Sequence, residues 1–204
     1  MGGGLAAIAA VAIAAPLASA SCGGVEIQRP KHKVAPRSPL AIGDSSMLLA
    51  LPTLARVGYV ANARGCRQMT EGLSVLRHTA RRHRLPDLVV LALGADASIS
   101  SGQIRAAMKI LGPKRKLGLV TPRELGGEES NDAQVVRNAG RRYPTRVKVL
   151  DWVRYSAGHN SWFQPDGLHL TFSGAHAFGR LLAKLIPLAG GKKSRAGLAT
   201  RSRR

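Results

Sequence analysis

Short apolar runs alternate with longer amphipathic stretches from residue 38 onward. The apolar runs have four to six residues each, a length typical of strands buried on both faces of a parallel sheet. They are Pro39–Ile42, Val57–Ala61, Leu88–Leu93, Leu117–Val120 and Val147–Leu150. The stretches that follow carry apolar residues at helical spacing and are predicted to be helices. They are Ser46–Leu54, Met69–His83, Ser101–Leu111, Asp132–Arg142 and Ser173–Leu188.

This order of elements predicts the fold class. Strands that alternate with helices through short connections form a doubly wound α/β structure. We therefore expect a three-layer α/β/α sandwich with a five-stranded parallel sheet. Ligands bind such sheets beyond the carboxyl ends of the strands, where the strand order reverses. Residues that directly follow a strand are therefore the candidates for chemistry.

The two ends of the chain have a different composition. Residues 1–20 are uncharged and mostly apolar and end in Ala18-Ser19-Ala20, which predicts a signal peptide and a mature start near Ser21. An uncleaved anchor is the alternative, and a lipoprotein linked through Cys22 fits less well. Residues 21–37 are basic and contain prolines, which predicts a linker or a surface strap. The predicted domain is 38–188, and the basic tail 189–204 is predicted to be disordered.

The charge of the chain suggests partners without choosing one. Thirty-one Lys and Arg against 11 Asp and Glu give a net charge of +20. That excess suits nucleic acid, an anionic membrane surface or an anionic cell-envelope polymer. The apparent export segment, the few aromatic residues and the lack of a recognisable nucleic-acid motif disfavour nucleic acid. No metal-binding pattern or glycine-rich phosphate loop occurs, so neither a metal nor a cofactor is predicted.

A candidate nucleophile follows the first predicted strand. In Gly43-Asp44-Ser45-Ser46, a serine at a strand-to-helix turn holds its hydroxyl at the edge of the sheet, beside the backbone amides of the helix N-terminus. The alternative is a plain helix cap, because Asp and Ser are common N-cap residues. By itself this motif does not decide between the two.

A candidate relay lies near the other end of the chain. In Asp166-Gly167-Leu168-His169, a carboxylate three residues before a histidine is able to hold one ring nitrogen while the other accepts a proton from a serine. The alternative is a histidine in an exposed loop with no catalytic role.

Together these motifs resemble the SGNH (GDSL-like) hydrolases, in the version associated with membrane acyltransferases. The resemblance covers about residues 38–188 and includes the run from Ala63 to Gln68. It implies a flavodoxin-like fold and a secreted or extracytoplasmic serine esterase or O-acyl transferase acting on acylated carbohydrate. The implied catalytic residues are Ser45, Asp166 and His169. The backbone amides of Ser45 and Gly65 would stabilise the oxyanion, and Arg67 and Gln68 would shape the pocket.

One position departs from the family pattern. Asp96 stands where the family has an Asn that donates a hydrogen bond to the oxyanion, and an ionised carboxylate has no such donor. Three interpretations are open. Asp96 is protonated by burial and donates through its own hydroxyl, or Ser98 or Ser100 donates in its place. In the third, the protein is a weak or inactive hydrolase. The last case motivates an alternative function, binding of anionic envelope polysaccharide without catalysis.

Two further features have open alternatives. Trp162 precedes the relay and is a candidate wall of the acyl or sugar pocket, with core packing as the alternative. Cys22 and Cys66 are the only cysteines, and in an oxidising compartment they are expected to form a disulfide. The alternative is two unrelated thiols, one of them a small buried residue.

Overall fold

The structure is a computed structural model that describes residues 22–190. The predicted signal peptide, and the tail from residue 191, lie outside the described residues. The strands are β1 (Glu26–Gln28), β2 (Leu40–Gly43), β3 (Val60–Ala63), β4 (Leu88–Ala92), β5 (Lys116–Val120) and β6 (Val147–Leu150). The helices are α1 (Leu51–Arg56), α2 (Met69–Arg81), α3 (Ser101–Leu111), α4 (Asn131–Arg142), α5 (Trp152–Tyr155) and α6 (Phe172–Ala183).

The predicted α/β/α sandwich is confirmed, with one more strand than expected. The strand order is β1-β3-β2-β4-β5-β6, and all neighbours are parallel except β1 and β3. The chain runs from β2 to β3 on one side and then to β4 on the other. The strand order therefore reverses at β2, which places the expected ligand site at its carboxyl end.

The additional strand lies in the segment predicted to be a linker or strap. β1 pairs antiparallel with β3 at the edge of the sheet, and all three of its residues are exposed. Hydrophobic patterning did not reveal it because an exposed edge strand of three residues buries no apolar face. A disulfide between Cys22 and Cys66 fixes the start of this segment beside the loop that follows β3.

Two hydrophobic layers enclose the sheet, and alternate residues of each strand face opposite layers. In β2, Ala41 belongs to the layer that contains α1 and α6, whereas Leu40 and Ile42 belong to the layer that contains α2, α3 and α4. The hydroxyl of Tyr59 is buried and donates a hydrogen bond of 2.8 Å to the Leu182 carbonyl, which joins the start of β3 to α6.

The largest differences from the predicted bounds occur in two helices and one strand. Residues Ser45–Ala50 form a 3₁₀ turn ahead of α1, and Pro52 lies in the first turn of α1. The predicted strand at Val57 begins three residues later, because Gly58 turns the chain with φ of +107°. Helix α6 ends at Ala183, and a separate 3₁₀ turn, Ile186–Ala189, contains Pro187.

Candidate active site

Ser45 lies where the strand order reverses, directly after β2. The preceding Asp44 has an extended backbone and is the N-cap of the 3₁₀ turn that begins at Ser45. Glycine is needed at position 43 because a Cβ there would lie 2.6 Å from the Cβ and sulfur of Met47. Close packing of Met47 under the turn therefore brings Ser45 to the edge of the sheet.

The three predicted relay residues are brought together. His169 Nε2 lies 3.1 Å from Ser45 Oγ, and His169 Nδ1 lies 2.7 Å from Asp166 Oδ2. The other carboxylate oxygen of Asp166 accepts the backbone N–H groups of Leu168 and His169, both at 2.9 Å. Burial raises the pKa of Asp166, but the hydrogen bonds from the His169 ring and from the two backbone amides together outweigh this effect and hold the pKa below its ordinary value. Asp166 is thus an ionised acceptor that fixes the orientation of the imidazole.

A loop not anticipated from the sequence holds the relay turn in place. The Gly126 N–H donates a 2.7 Å hydrogen bond to the Asp166 carbonyl, and Arg123 Nε donates one of 3.2 Å to the Gly167 carbonyl. The Arg123 guanidinium also lies 4.1 Å from the centroid of the Phe163 ring. Gly167 has φ of +70°, and a Cβ there would lie 2.7 Å from the Gly127 nitrogen. The only sequence signal for this loop is a polar, glycine-containing stretch after β5.

The candidate oxyanion donors have different surroundings. No protein acceptor for the Gly65 N–H is found in the part of the chain that the structure describes. The Ser45 N–H faces the carboxyl group of Asp96, and His169 is close enough to act on that carboxyl electrostatically. Loss of water around the carboxyl raises the pKa of Asp96 and is the largest effect, whereas His169 and the Ser45 amide lower it.

The loop that carries Asp96 is fixed at both ends. The Ala95 N–H donates to Asp44 Oδ2 at 3.1 Å, and the Ile99 N–H donates to the buried carboxylate of Asp132 at 2.8 Å. Ser100, one of the predicted substitute donors, is the N-cap of α3 and accepts the Gln103 N–H. Ser100 therefore has a structural role at the start of α3, and a donor role for Ser98 remains a prediction.

Arg67, which the resemblance gives as a residue that shapes the pocket, lies in the interior of the domain. Its side chain is fully buried, and Nη1 donates to the carbonyls of Gly43 at 3.0 Å and Asn62 at 2.9 Å. Burial lowers the pKa of the guanidinium, and the nearby Glu71 carboxylate offsets this effect. Arg67 therefore ties together the ends of β2 and β3 beneath the site. The residue type did not indicate this, because buried arginines are rare.

The other predicted pocket residues are placed as follows. Gln68 is exposed, and its backbone carbonyl accepts hydrogen bonds at the start of α2. Trp162 is half-buried and lies nearly parallel to the rings of Trp152 and His159, with centroid distances of 5.8 and 3.9 Å. Its contacts are with other aromatic side chains, as the core-packing alternative expects. A substrate contact for either residue remains a prediction.

Within residues 22–190, no group of three or more His, Cys, Asp or Glu side chains is arranged to hold a metal ion. In the same range, no helix is long and apolar enough to cross a membrane.

No protein-family model matches the chain. A peptidoglycan O-acetyltransferase, OatA, from Listeria monocytogenes is 29% identical over 154 residues, which are 72% of this chain and 24% of that protein. The chain thus spans about a quarter of the length of this relative.

Solved structures share the fold of this chain. The catalytic C-terminal domain of the Streptococcus pneumoniae peptidoglycan O-acetyltransferase OatA superposes with a TM-score of 0.65 at 22% identity, over 76% of this chain and 95% of that domain. A member of the lipolytic G-D-S-L family from Veillonella parvula superposes with a TM-score of 0.58 at 10% identity, over 72% of this chain and 96% of that one.

This chain has the SGNH fold. The resemblance inferred from the motifs is thereby confirmed, and the relatives of this domain include a peptidoglycan O-acetyltransferase.

The buried carboxyl of Asp44 generates a prediction about stability and pH. This carboxyl is almost fully buried and accepts a hydrogen bond of 2.6 Å from the Ser46 hydroxyl. Burial is the largest effect on its pKa and raises the pKa of Asp44 to about 6, although its hydrogen bonds act in the opposite direction. Because the folded-state pKa is above the ordinary value, the folded state binds this proton more tightly than the unfolded state. The contribution of Asp44 to stability therefore increases as the pH falls through about 6.

We expect this contribution to be absent in Asp44→Asn. When the pH is lowered from about 7.5 to about 5, the unfolding free energy of the wild type should increase by about 1 kcal/mol relative to that of the variant. Urea unfolding of both proteins at the two pH values measures this difference. The titration of groups that both proteins share cancels when the two free energies of unfolding are subtracted. Parallel pH dependences of the two proteins would show that Asp44 does not titrate in this range.

Proposed function

We propose that this SGNH domain is an extracytoplasmic serine esterase or O-acyl transferase that acts on acylated carbohydrate of the cell envelope. The observation that carries the proposal is the continuous relay from Asp166 through His169 to Ser45, with distances of 2.7 and 3.1 Å. Relatedness to peptidoglycan O-acetyltransferases supports a carbohydrate polymer as substrate and action outside the cytoplasm.

In the proposed reaction, Ser45 Oγ attacks the acyl carbonyl and transfers its proton to His169 Nε2. Asp166 holds Nδ1 and stabilises the imidazolium that forms. The tetrahedral intermediate collapses, the departing alcohol takes the proton from His169, and the acyl group stays on Ser45 as an ester. Water then completes hydrolysis, whereas a sugar hydroxyl completes transfer.

The oxyanion of the intermediate is proposed to lie between the backbone N–H groups of Ser45 and Gly65. The position of Gly65 depends on the strap, because a Cβ at residue 65 would lie 2.7 Å from the Cys22 carbonyl oxygen. Cys66, directly after Gly65, carries the disulfide. The strap thus helps to set the loop that would provide the second donor.

The proposed partners depend on whether water or a sugar hydroxyl accepts the acyl group. A hydrolase needs only the acylated polymer and water. A transferase also needs an acyl donor, and the resemblance implies that a membrane acyltransferase would supply it. The alternative of a non-catalytic polysaccharide-binding protein is not favoured, because such a protein has no need for the relay geometry.

Replacement of the proposed nucleophile tests the reaction. Ser45→Ala should abolish turnover of p-nitrophenyl acetate and covalent labelling by a fluorophosphonate, because within residues 22–190 no other hydroxyl is hydrogen-bonded to the His169 ring. Rates and peptide mapping of the label are the measurements, and Ser74→Ala on the exposed face of α2 is the matched control. Labelling that persists in Ser45→Ala, or that maps to Ser46 in the wild type, would overturn the assignment.

The negative charge of Asp96 beside the Ser45 amide should slow the reaction. Asp96→Asn removes this charge and supplies an N–H donor, so we expect a faster esterase, with a gain of up to about 100-fold. The ratio of variant to wild-type rate should be greatest at neutral and alkaline pH. It should shrink toward acid pH, because protonation removes the charge of Asp96 in the wild type as well.

Steady-state rates across the pH range measure this ratio. Asp87→Asn, which neutralises another exposed aspartate outside the site, is the control and should leave the rate unchanged. A rate for Asp96→Asn equal to that of the wild type at every pH would place Asp96 outside the oxyanion site.

A further inference from the structure

Two surface clefts lie on opposite sides of the edge strand β1. One has a volume of about 370 Å³ and lies between β1 and α2, with β2 and β3 at its base. The other has a volume of about 400 Å³ and lies between the strap and α1. Arg29, the residue that follows β1, lines both clefts and joins them into one surface.

The first cleft combines an aliphatic base with a cationic rim. Its apolar lining consists of Ile27, Leu40, Val60 and Val75 together with Pro86. Its basic lining consists of Arg29, His78, Arg82 and Arg84, all of them exposed. Ile27 is 45% exposed, so its apolar side chain faces solvent in the cleft rather than the core.

The second cleft continues the positive charge, with Lys31, His32 and Arg56 beside Arg29. Among residues 22–190, no Asp or Glu lines either cleft. Glu26, on the same strand, lines neither. In the same part of the chain, Arg29, Arg82 and Arg84 form no ion pair with a carboxylate. Their guanidinium groups are therefore available to an external anion.

We propose that these clefts bind a linear anionic polymer in which phosphodiester groups alternate with short aliphatic segments. The paired N–H donors of a guanidinium group match two oxygens of a phosphate. The aliphatic residues at the bottom of the first cleft suit the carbon chain between the phosphates. Of the residues that the structure describes, no Phe, Tyr or Trp lines either cleft, so this part of the surface offers no such platform for stacking bases. This favours a polyol phosphate over nucleic acid.

The location makes this binding separate from catalysis. Ser38 and Leu40, which line the first cleft, lie at the start of β2, whereas Ser45 follows its end. A polymer held across β1 would keep the domain at the envelope without entering the active site. The proposal therefore stands or falls independently of the proposed acyl chemistry.

The test compares two double variants of the full chain that lose the same charge. Arg29→Gln/Arg82→Gln removes cations from the proposed surface. The control, Arg105→Gln/Arg142→Gln, removes two arginines that line a third cleft, of about 340 Å³, between α3 and α4. Binding of fluorescently labelled poly(glycerol phosphate) is measured by anisotropy at several salt concentrations.

We expect the first pair to weaken binding by about tenfold or more and the control pair by about twofold or less. The slope of log K against log salt should become shallower by roughly 0.7 for each lost phosphate contact in the first pair, as for single-stranded polyanions. Ser45→Ala should bind like the wild type. Both double variants should hydrolyse p-nitrophenyl acetate at the wild-type rate.

Equal weakening by both pairs would mean that the net charge, rather than this surface, binds the polymer, and would overturn the proposal. A single-stranded oligonucleotide that binds as tightly and is equally sensitive to the first pair would overturn the choice of a polyol phosphate. The same result with polyglutamate would overturn the requirement for phosphodiesters. Loss of esterase activity in Ser45→Ala with retained polymer binding would separate the two functions.

Discussion

The hydrogen bond between Ser45 and His169 joins two turns that lie 124 residues apart in the chain. A contact of 3.1 Å at such a separation depends on both turns being fixed independently. Ser45 is held by the end of β2 and by the packing of Met47. His169 is held by Asp166 and by the loop after β5. In the proposed reaction, an error of about 1 Å in the position of either turn would impair proton transfer from Ser45 to His169.

Buried and half-buried polar groups supply much of this rigidity. Asp44 links the Ser45 turn to the loop that carries Asp96, and Arg67 links the ends of β2 and β3 from below. Each group has lost contact with water, and each satisfies backbone amides or carbonyls that the turns leave unpaired. Asp44 shows the energetic consequence, because its three hydrogen bonds do not fully offset the effect of burial on its pKa.

The sequence was informative where chemistry and periodicity coincide. Strand β6 and helix α3 have the predicted bounds, because buried apolar runs and a helical stripe of apolar residues define them directly. The residues of the relay could be proposed because their types and order are specific. Strand β1 could not be predicted, since it buries nothing and depends on pairing with β3. The roles of Arg67 and Arg123 depend on backbone carbonyls that only the folded chain brings near them.

The central claim is that Ser45 carries the acyl group between donor and acceptor. The most direct measurement is rapid acid quenching of the wild type during turnover of p-nitrophenyl acetate, followed by peptide mass mapping. We expect an acetyl ester on Ser45, formed with the first release of nitrophenol. Release of nitrophenol with no acetyl group on Ser45, or with the acetyl group on another residue, would contradict it.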